Sequence, residues 1–411
     1  MYKRVLRVGL LVILQLVVSF GVLVSPASAL SSEQKLVAQA WRIVNRSYVD
    51  SSFNGENWWF VRQKALKQPL NTREDAYDAI DNMLDRLDDP FTRLLRPDRY
   101  RTLQVTTSGE LTGVGLQIAI DEETRDLKVV APIAGSPADE AGVQPQDRIL
   151  KIDGISTKNL SLEDAATRMR GPIGTRVTLT VERMDTEEIE DIRLKRDRIA
   201  INPVSTQLDR SVSPPIGYIR LNQFNANAIK ETQNAIARLE EQGADRYILD
   251  LRSNPGGLFQ AGIGIARLWL DEGTIVYTVN RQGVFGSFDA TRNALTDDPL
   301  AVLVNRGTAS ASEILAGALQ DNDRATIIGE RTFGKGLIQS VFDLDEKVGL
   351  AVTVAKYETP NHTDINKHGI EPDLVVEQKP IQRDRIGTPD DLQYQAAIET
   401  LTDNTAIAEA A

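Results

Sequence analysis

A serine hydroxyl becomes a nucleophile only when a neighbour takes its proton, and this chain has few side chains suited to that. Its 411 residues include no cysteine and only two histidines, His362 and His368, both in a Gly/Pro/Asn-bearing stretch near the carboxyl end. A Ser-His-Asp triad would have to recruit one of them, whereas a serine–lysine pair needs neither. Gly307-Thr308-Ala309-Ser310-Ala311-Ser312-Glu313 and Phe333-Gly334-Lys335-Gly336 supply such a pair. A third segment, Leu251-Arg252-Ser253-Asn254-Pro255-Gly256-Gly257, carries glycine amides able to approach a reacting carbonyl closely, as an oxyanion hole requires.

Each segment also has a plainer reading. Ser310-x-x-Glu313 is the spacing of a capping box, in which the serine only satisfies an orphan amide. Lys335 between two glycines fits a solvated loop lysine. As a base it must be neutral, and bringing an ordinary lysine pKa of about 10.4 to near 7 costs about 4.6 kcal/mol, to be supplied by burial. Asn254-Pro255-Gly256-Gly257 is also a common turn. Gly329-x-x-x-x-Gly334-Lys335 has the spacing of a phosphate loop, but Gly336 stands where serine or threonine is needed, and a strand-like run follows in place of a helix. His362-x-Asp364-x-x-x-His368 holds metal-ligand residue types in a turn-rich loop; neither metal nor cofactor is expected.

The elements that must position these residues are strand-like runs. Ile216–Leu221, Tyr247–Leu251, the apolar Leu300–Val304 and Ala325–Gly329 alternate with helices over about 228–242 and 309–319, which predicts an α/β layer over 199–386. Ser310 then opens a helix directly after a strand, where the helix amino end stabilises developing negative charge. Residues 387–411 read as a helical tail with an acidic, alanine-rich end.

The amino-terminal part, 30–107, reads as helical. Leu36, Val37, Ala40, Ile43 and Val44 recur at helical spacing within Glu33–Tyr48, and Ile80, Met83, Leu84 and Leu87 do so within Asp75–Leu87. The aromatic run Phe53 to Phe60 between them is expected in the core. Positions 1–29 place Lys3, Arg4 and Arg7 before an apolar run, then Pro26 and Ala27-Ser28-Ala29. This is a secretory signal with cleavage expected after Ala29, a retained anchor being the alternative. The net charge of −11 becomes more negative once those cations leave, which disfavours nucleic acid as a partner.

From Ser108 to Arg198 short strands take over. Thr112-Gly113-Val114-Gly115-Leu116, the short helix at Ser136-Pro137-Ala138, the strand and tight turn Asp147 to Gly154 and the helix Leu162–Met169 fall in the order of a PDZ domain, which this region resembles. In that fold the loop Gly113, Val114, Gly115 and Leu116 would receive a carboxylate, and an exposed strand edge would add the peptide as a further strand. Arg170 could contact the bound carboxylate.

Together with that unit, Asn254-Pro255-Gly256-Gly257, Ser310-Ala311-Ser312-Glu313 and Phe333-Gly334-Lys335-Gly336 with Gln339 resemble the carboxyl-terminal processing protease family. The resemblance implies an α/β multidomain chain: helical amino-terminal region, PDZ-like β-rich domain, α/β catalytic core and helical tail. It implies that Ser310 attacks the peptide carbonyl, Lys335 takes its proton and Gln339 orients the lysine. The oxyanion amides fall at Ala311 and at Gly256 or Gly257, Asp250, Arg252 and Glu313 support, and Asp321 occupies a position sometimes assigned to a charge-relay acid. Eleven residues of helix would carry Asp321 about 16 Å from Ser310. Phe53-Asn54-Gly55-Glu56-Asn57-Trp58 and Leu87-Asp88-Asp89-Pro90-Phe91-Thr92-Arg93 look like the photosynthetic branch, which trims a photosystem II reaction-centre subunit precursor. The implied partners are protein or peptide carboxyl termini, with room for peripheral association with a membrane-protein substrate, in the thylakoid lumen or periplasm. The competing readings are a general periplasmic tail-processing protease and an exported PDZ adaptor in which Ser310 only caps.

Overall fold

The computed structural model describes residues 30–121, 124–345, 347–379, 381–382 and 385–408, so the expected signal lies outside the described residues. The chain divides into two units, one of 1–96 with 339–353 and one of 97–338 with 354–411. No helix among the described residues is long and apolar enough to cross a membrane.

In the first unit, helix α1 (Ser32–Ser47) begins at a capping box between Ser31 and Gln34 and buries Leu36, Val37, Ala40 and Val44. Helix α2 (Trp58–Leu66) starts at Asn57, whose side chain accepts the Phe60 N–H. Helix α3 (Arg73–Leu84) buries Ile80, Met83 and Leu84. It gives way to a 3₁₀ turn at Asp85–Leu87, and Asp88 at φ +51° ends it, short of the continuous helix expected to Leu87. Strand β1 (Arg93–Leu95) pairs antiparallel with 349–351. The aromatic run divides. Phe53 stacks on Trp58, which is buried, while Trp59 and Phe60 are 55% and 63% exposed and outside the core assigned to them.

The second unit opens with helix α4 (Pro97–Ser108). There follow β2 (Glu110–Gly113), β3 (Leu116–Ile120), β4 (Leu127–Pro132), the single turn α5 (Pro137–Glu140), β5 (Arg148–Ile152), β6 (Ile155–Ser156), α6 (Leu162–Met169), β7 (Arg176–Glu182), β8 (Ile189–Lys195) and β9 (Asp197–Ala200). β3, β4, β5, β7 and β8 form one antiparallel sheet in that order, leaving β3 at an edge, and β2 pairs with β9. Alternate residues Val177, Leu179 and Val181 of β7 enter a core with Val129, Ile149 and Ala165, the period-2 pattern of a half-buried strand. β8 buries only Ile192 and Leu194, too little alternation for the sequence to announce it.

Beyond Pro203 lie β10 (Val204–Asp209), β11 (Ile216–Leu221), α7 (Ala228–Glu241), β12 (Arg246–Asp250), α8 (Phe259–Trp269), β13 (Thr274–Asn280), β14 (Gly283–Asp289), β15 (Leu300–Val304), α9 (Ala311–Asp321), β16 (Thr326–Gly329), β17 (Leu337–Asp345), β18 (Val348–Glu358), β19 (Leu374–Val375) and α10 (Leu392–Ala408). The central sheet runs β10-β11-β12-β15-β16-β19, parallel from β11 onward. β12 and β15 are buried at every position, because a parallel sheet is covered on both faces. One face packs residues of α7, α8 and α9; the other packs Tyr394, Ala397 and Leu401 of α10. In register, Asp250 lies beside Leu303 and Leu303 beside Ile328, so the three chemistry-bearing segments leave the carboxyl ends of adjacent parallel strands at one level, where open α/β sheets place their sites.

Candidate active site

Ser310 occupies the N-cap of α9 with φ +59° and ψ −119°. The other capping serines, Ser31, Ser136 and Ser161, sit in extended backbone and each accepts an amide with its side chain. Ser310 is left-handed, and its side chain makes no such cap bond. A non-glycine residue there is strained and persists only when its surroundings over-determine it.

Glu313 does much of that. Its side chain is completely buried and accepts the N–H of Ser310 at 2.8 Å, of Gly334 at 2.6 Å and of Lys335 at 2.9 Å, and the Thr332 hydroxyl at 2.6 Å. One carboxylate therefore holds the backbones of Ser310 and Lys335 together. Lys335 itself is half-buried. The glycines flanking it are required by close approach. A Cβ at Gly334, φ +86°, would lie 2.9 Å from the Gly369 and His368 nitrogens, and one at Gly336 would lie 2.8 Å from the Asn366 nitrogen.

The two candidate oxyanion glycines differ sharply. A Cβ on Gly256, φ +90°, would fall 2.7 Å from the Ala309 carbonyl oxygen, 2.8 Å from the Ala311 nitrogen and 2.9 Å from the Ser310 Cβ. Gly257 instead packs against the Phe224 carbonyl oxygen, which any Cβ there would strike. Gly256 is the glycine that lies against Ser310, and its N–H donates to Asn254 Oδ1 at 2.9 Å. Ala311 is the first residue of α9, where an amide has no intrahelical acceptor. Asn254, wholly buried, fixes the turn by donating to the Leu221 carbonyl at 2.7 Å, while its own carbonyl receives Ser312 Oγ and the Ala309 N–H, both at 3.0 Å.

Asp250 and Arg252 form a separate buried network at the end of β12. Arg252 donates to Asp250 at 2.7 and 3.0 Å, to Asp391 at 2.7 and 2.8 Å and to Gln393 at 3.1 Å, while Tyr218 donates to Asp250 at 2.6 Å. Burial works against the Arg252 charge, but the two carboxylates outweigh it and raise its pKa further. Burial likewise pushes the Asp391 carboxyl up, and the Arg252 guanidinium with the Gly387 and Tyr394 amides more than reverses this, holding it below the ordinary carboxylate range.

Asp321 is not brought to Ser310. The helix runs unbroken to Asp321 and puts it at the opposite end, where its Oδ2 accepts the Asn361 N–H at 2.9 Å. Gln339 falls in the first unit, where its Nε2 donates to Thr353 Oγ1 at 3.5 Å. His362 approaches Glu358 at 2.9 Å and stacks on Tyr277.

In the amino-terminal half of the second unit, Gly115 has φ +79°, and a Cβ there would lie 2.2 Å from the Ser136 Cβ. The Val114 carbonyl accepts the Ala138 N–H at 2.9 Å. The Gly115 carbonyl accepts the Ile133 N–H at 2.8 Å and Ser136 Oγ at 3.1 Å. With both carbonyls turned inward, the loop opens directly into edge strand β3. Arg170 lies against Gly113, and burial and the nearby Arg101 lower its guanidinium pKa. Arg196, buried, donates to the Arg168 and Met169 carbonyls at 2.8 and 3.1 Å and so ends α6 just before Arg170.

Such a sheet, with a strained serine at its strand ends and a small β domain before it in the chain, is the layout of a serine-type peptidase with a PDZ module. The family model described as Peptidase family S41 matches residues 215–376, and a PDZ domain model matches 128–183. The chain belongs to the carboxyl-terminal-processing proteases of that family. It is 58% identical over 410 residues to the "Carboxyl-terminal-processing protease" of Picosynechococcus sp., covering 100% of this chain and 99% of that one. It is 62% identical over 383 residues to the protein of the same name from Synechocystis sp., covering 93% and 90%. Among solved structures, a "photosystem II D1 C-terminal processing protease" matches with a TM-score of 0.56 and 43% identity, over 84% of this chain and 94% of that one.

Proposed function

We propose that this carboxyl-terminal processing serine protease works through a serine–lysine pair. Ser310 attacks the peptide carbonyl as Lys335 accepts its proton, the C–N bond breaks as Lys335 passes that proton to the departing amine, and water then hydrolyses the acyl-enzyme to release the acid and restore the serine. The observation that carries the reading is the strained backbone of Ser310 at the amino end of α9, joined through Glu313 to the backbone of Lys335. The oxyanion would be met by the Ala311 N–H and the Gly256 N–H, the substrate oxygen competing with Asn254 Oδ1 for the latter. Substrate enters carboxyl end first: the Gly113–Leu116 loop and Arg170 receive the carboxylate, and β3 adds the chain as a strand. By analogy with the processing protease of photosystem II D1, the substrate is the carboxyl-terminal extension of that reaction-centre subunit, and the enzyme acts after export, in the lumen or periplasm.

Ser310→Ala and Lys335→Ala should each abolish cleavage of a peptide with a free apolar carboxyl end while both variants keep the wild-type fold. Wild-type turnover by Lys335→Ala would sink the pair. Amidating the peptide's carboxyl end should raise KM, and equal cleavage of amide and acid would remove the PDZ capture step.

A further inference from the structure

Glu313 secures only one polar side of the peptide units at Ser310 and Lys335, their N–H groups. Their carbonyl oxygens converge on a second side chain to which nothing in the sequence pointed. The hydroxyl of Tyr357, on β18, lies 2.7 Å from the Lys335 carbonyl oxygen and 3.0 Å from that of Ser310. The Tyr357 N–H also donates to the Gly336 carbonyl at 3.0 Å, so a single residue holds this loop at two successive positions. Its ring is 1% exposed within the main core, packed where it has little room to shift.

A phenol has one proton to give, and here two acceptors from distant segments share it. The Ser310 carbonyl also accepts the Glu313 and Ile314 N–H groups at 2.8 and 3.0 Å, so what the hydroxyl adds is a link between the two segments, made without introducing a charge. Burial, with the Glu313 and Asp364 carboxylates nearby, raises the Tyr357 pKa well above that of an ordinary phenol, so the group remains a donor throughout the neutral range. An aliphatic or phenylalanine side chain would fill the same core but remove the one hydroxyl that ties the Ser310 carbonyl, on a residue held at positive φ, to that of Lys335.

We propose that Tyr357 is a positioning residue for the reaction. Its hydroxyl bridges the Ser310 and Lys335 carbonyls and, opposite Glu313, fixes the separation of nucleophile and base. The proposal rests on the serine–lysine reading. Because a misplacement of about 1 Å can cost a reaction about 10²-fold, loss of the bridge should appear in turnover before it appears in substrate binding.

The test is Tyr357→Phe in the full chain, assayed on a peptide with a free apolar carboxyl end. Active sites are counted with a fluorophosphonate probe, and thermal unfolding is followed in parallel. kcat per titrated site should fall at least about tenfold with KM within about twofold, and the pH limb of kcat/KM that reports the base should move. A purely structural tyrosine would lower the unfolding temperature and leave both readouts per titrated site unchanged, which would overturn the proposal. If Tyr357→Phe does not fold, 3-fluorotyrosine placed at 357 keeps the ring and alters the acidity of the hydroxyl; an unmoved pH limb in that protein also overturns it. Ser310→Ala and Lys335→Ala run alongside. Activity in either defeats the serine–lysine reading itself, whereas two dead variants beside a fully active Tyr357→Phe defeat the bridge alone.

Discussion

Two buried carboxylates stand near the ends of neighbouring strands and are satisfied in opposite ways. Glu313, in the first turn of α9, accepts three backbone amides and a hydroxyl. Asp250, at the end of β12, is held by the Arg252 guanidinium, whose other edge is taken by Asp391. Bonds from Glu313 to main-chain groups dictate where peptide units lie, a matter of tenths of an ångström. The charged cluster joins residues 139 apart in sequence, and what it sets is whether the carboxyl-terminal segment stays docked. Similar burial thus serves geometry in one place and cohesion in the other, and the two should fail differently.

The largest effect should come from Glu313→Gln. A carboxamide turns an NH₂ group toward amides that need an acceptor, so kcat should fall about 10²-fold with a smaller change in KM, as read by steady-state kinetics beside an unfolding curve. Near-wild-type kcat would reduce Glu313 to a helix cap. Next, Asp391→Ala strands part of a buried guanidinium and should cost about 3–5 kcal/mol in denaturant unfolding, while kcat per titrated site falls less than in Glu313→Gln. The reverse ranking would collapse the distinction between the two networks. The smallest effect is one of pH. The Asp391 carboxyl is lowered in the folded state, so its contribution is complete above the ordinary carboxylate value of about 3.9 and is lost as pH falls through the lowered folded value. Asp391→Asn should therefore flatten the acid limb of unfolding temperature against pH, and an unchanged limb would mean that other carboxylates govern acid unfolding.

The residues legible in the sequence were those whose type and near neighbours state their chemistry: a serine at a strand-to-helix junction, a lysine between glycines, a Pro-Gly-Gly turn. The α/β layer was legible too, since β15 is an unbroken apolar run and β12 carries Tyr247, Ile248 and Leu249 between its charged ends. Gly256 and Gly257 could not be separated, because their difference lies in what each touches, Ala311 for one and Phe224 for the other. Tyr357 was hidden for a related reason: in sequence it is one more aromatic residue on a strand, and its hydroxyl acquires meaning only when residues 47 and 22 positions away arrive beside it. Asp391 read only as part of a helical tail; its value comes from Arg252. Trp59 and Phe60 misled in the other direction, since a short aromatic run does not reveal which of its members face water.

Because Asp250, Leu303 and Ile328 lie side by side in a hydrogen-bonded sheet, the origins of the three loops are spaced by the fixed distance between strands, about 4.8 Å. The sheet acts as a ruler that the connecting segments cannot stretch. A crossover between two of these strands can therefore lengthen freely at the surface, carrying new contacts for a new substrate, while Ser310, Gly256 and Lys335 keep their spacing. A one-residue slip inside β15 would carry the Ser310 segment out of step with both of its neighbours. Variation in this enzyme is thus permitted along the chain and forbidden across it.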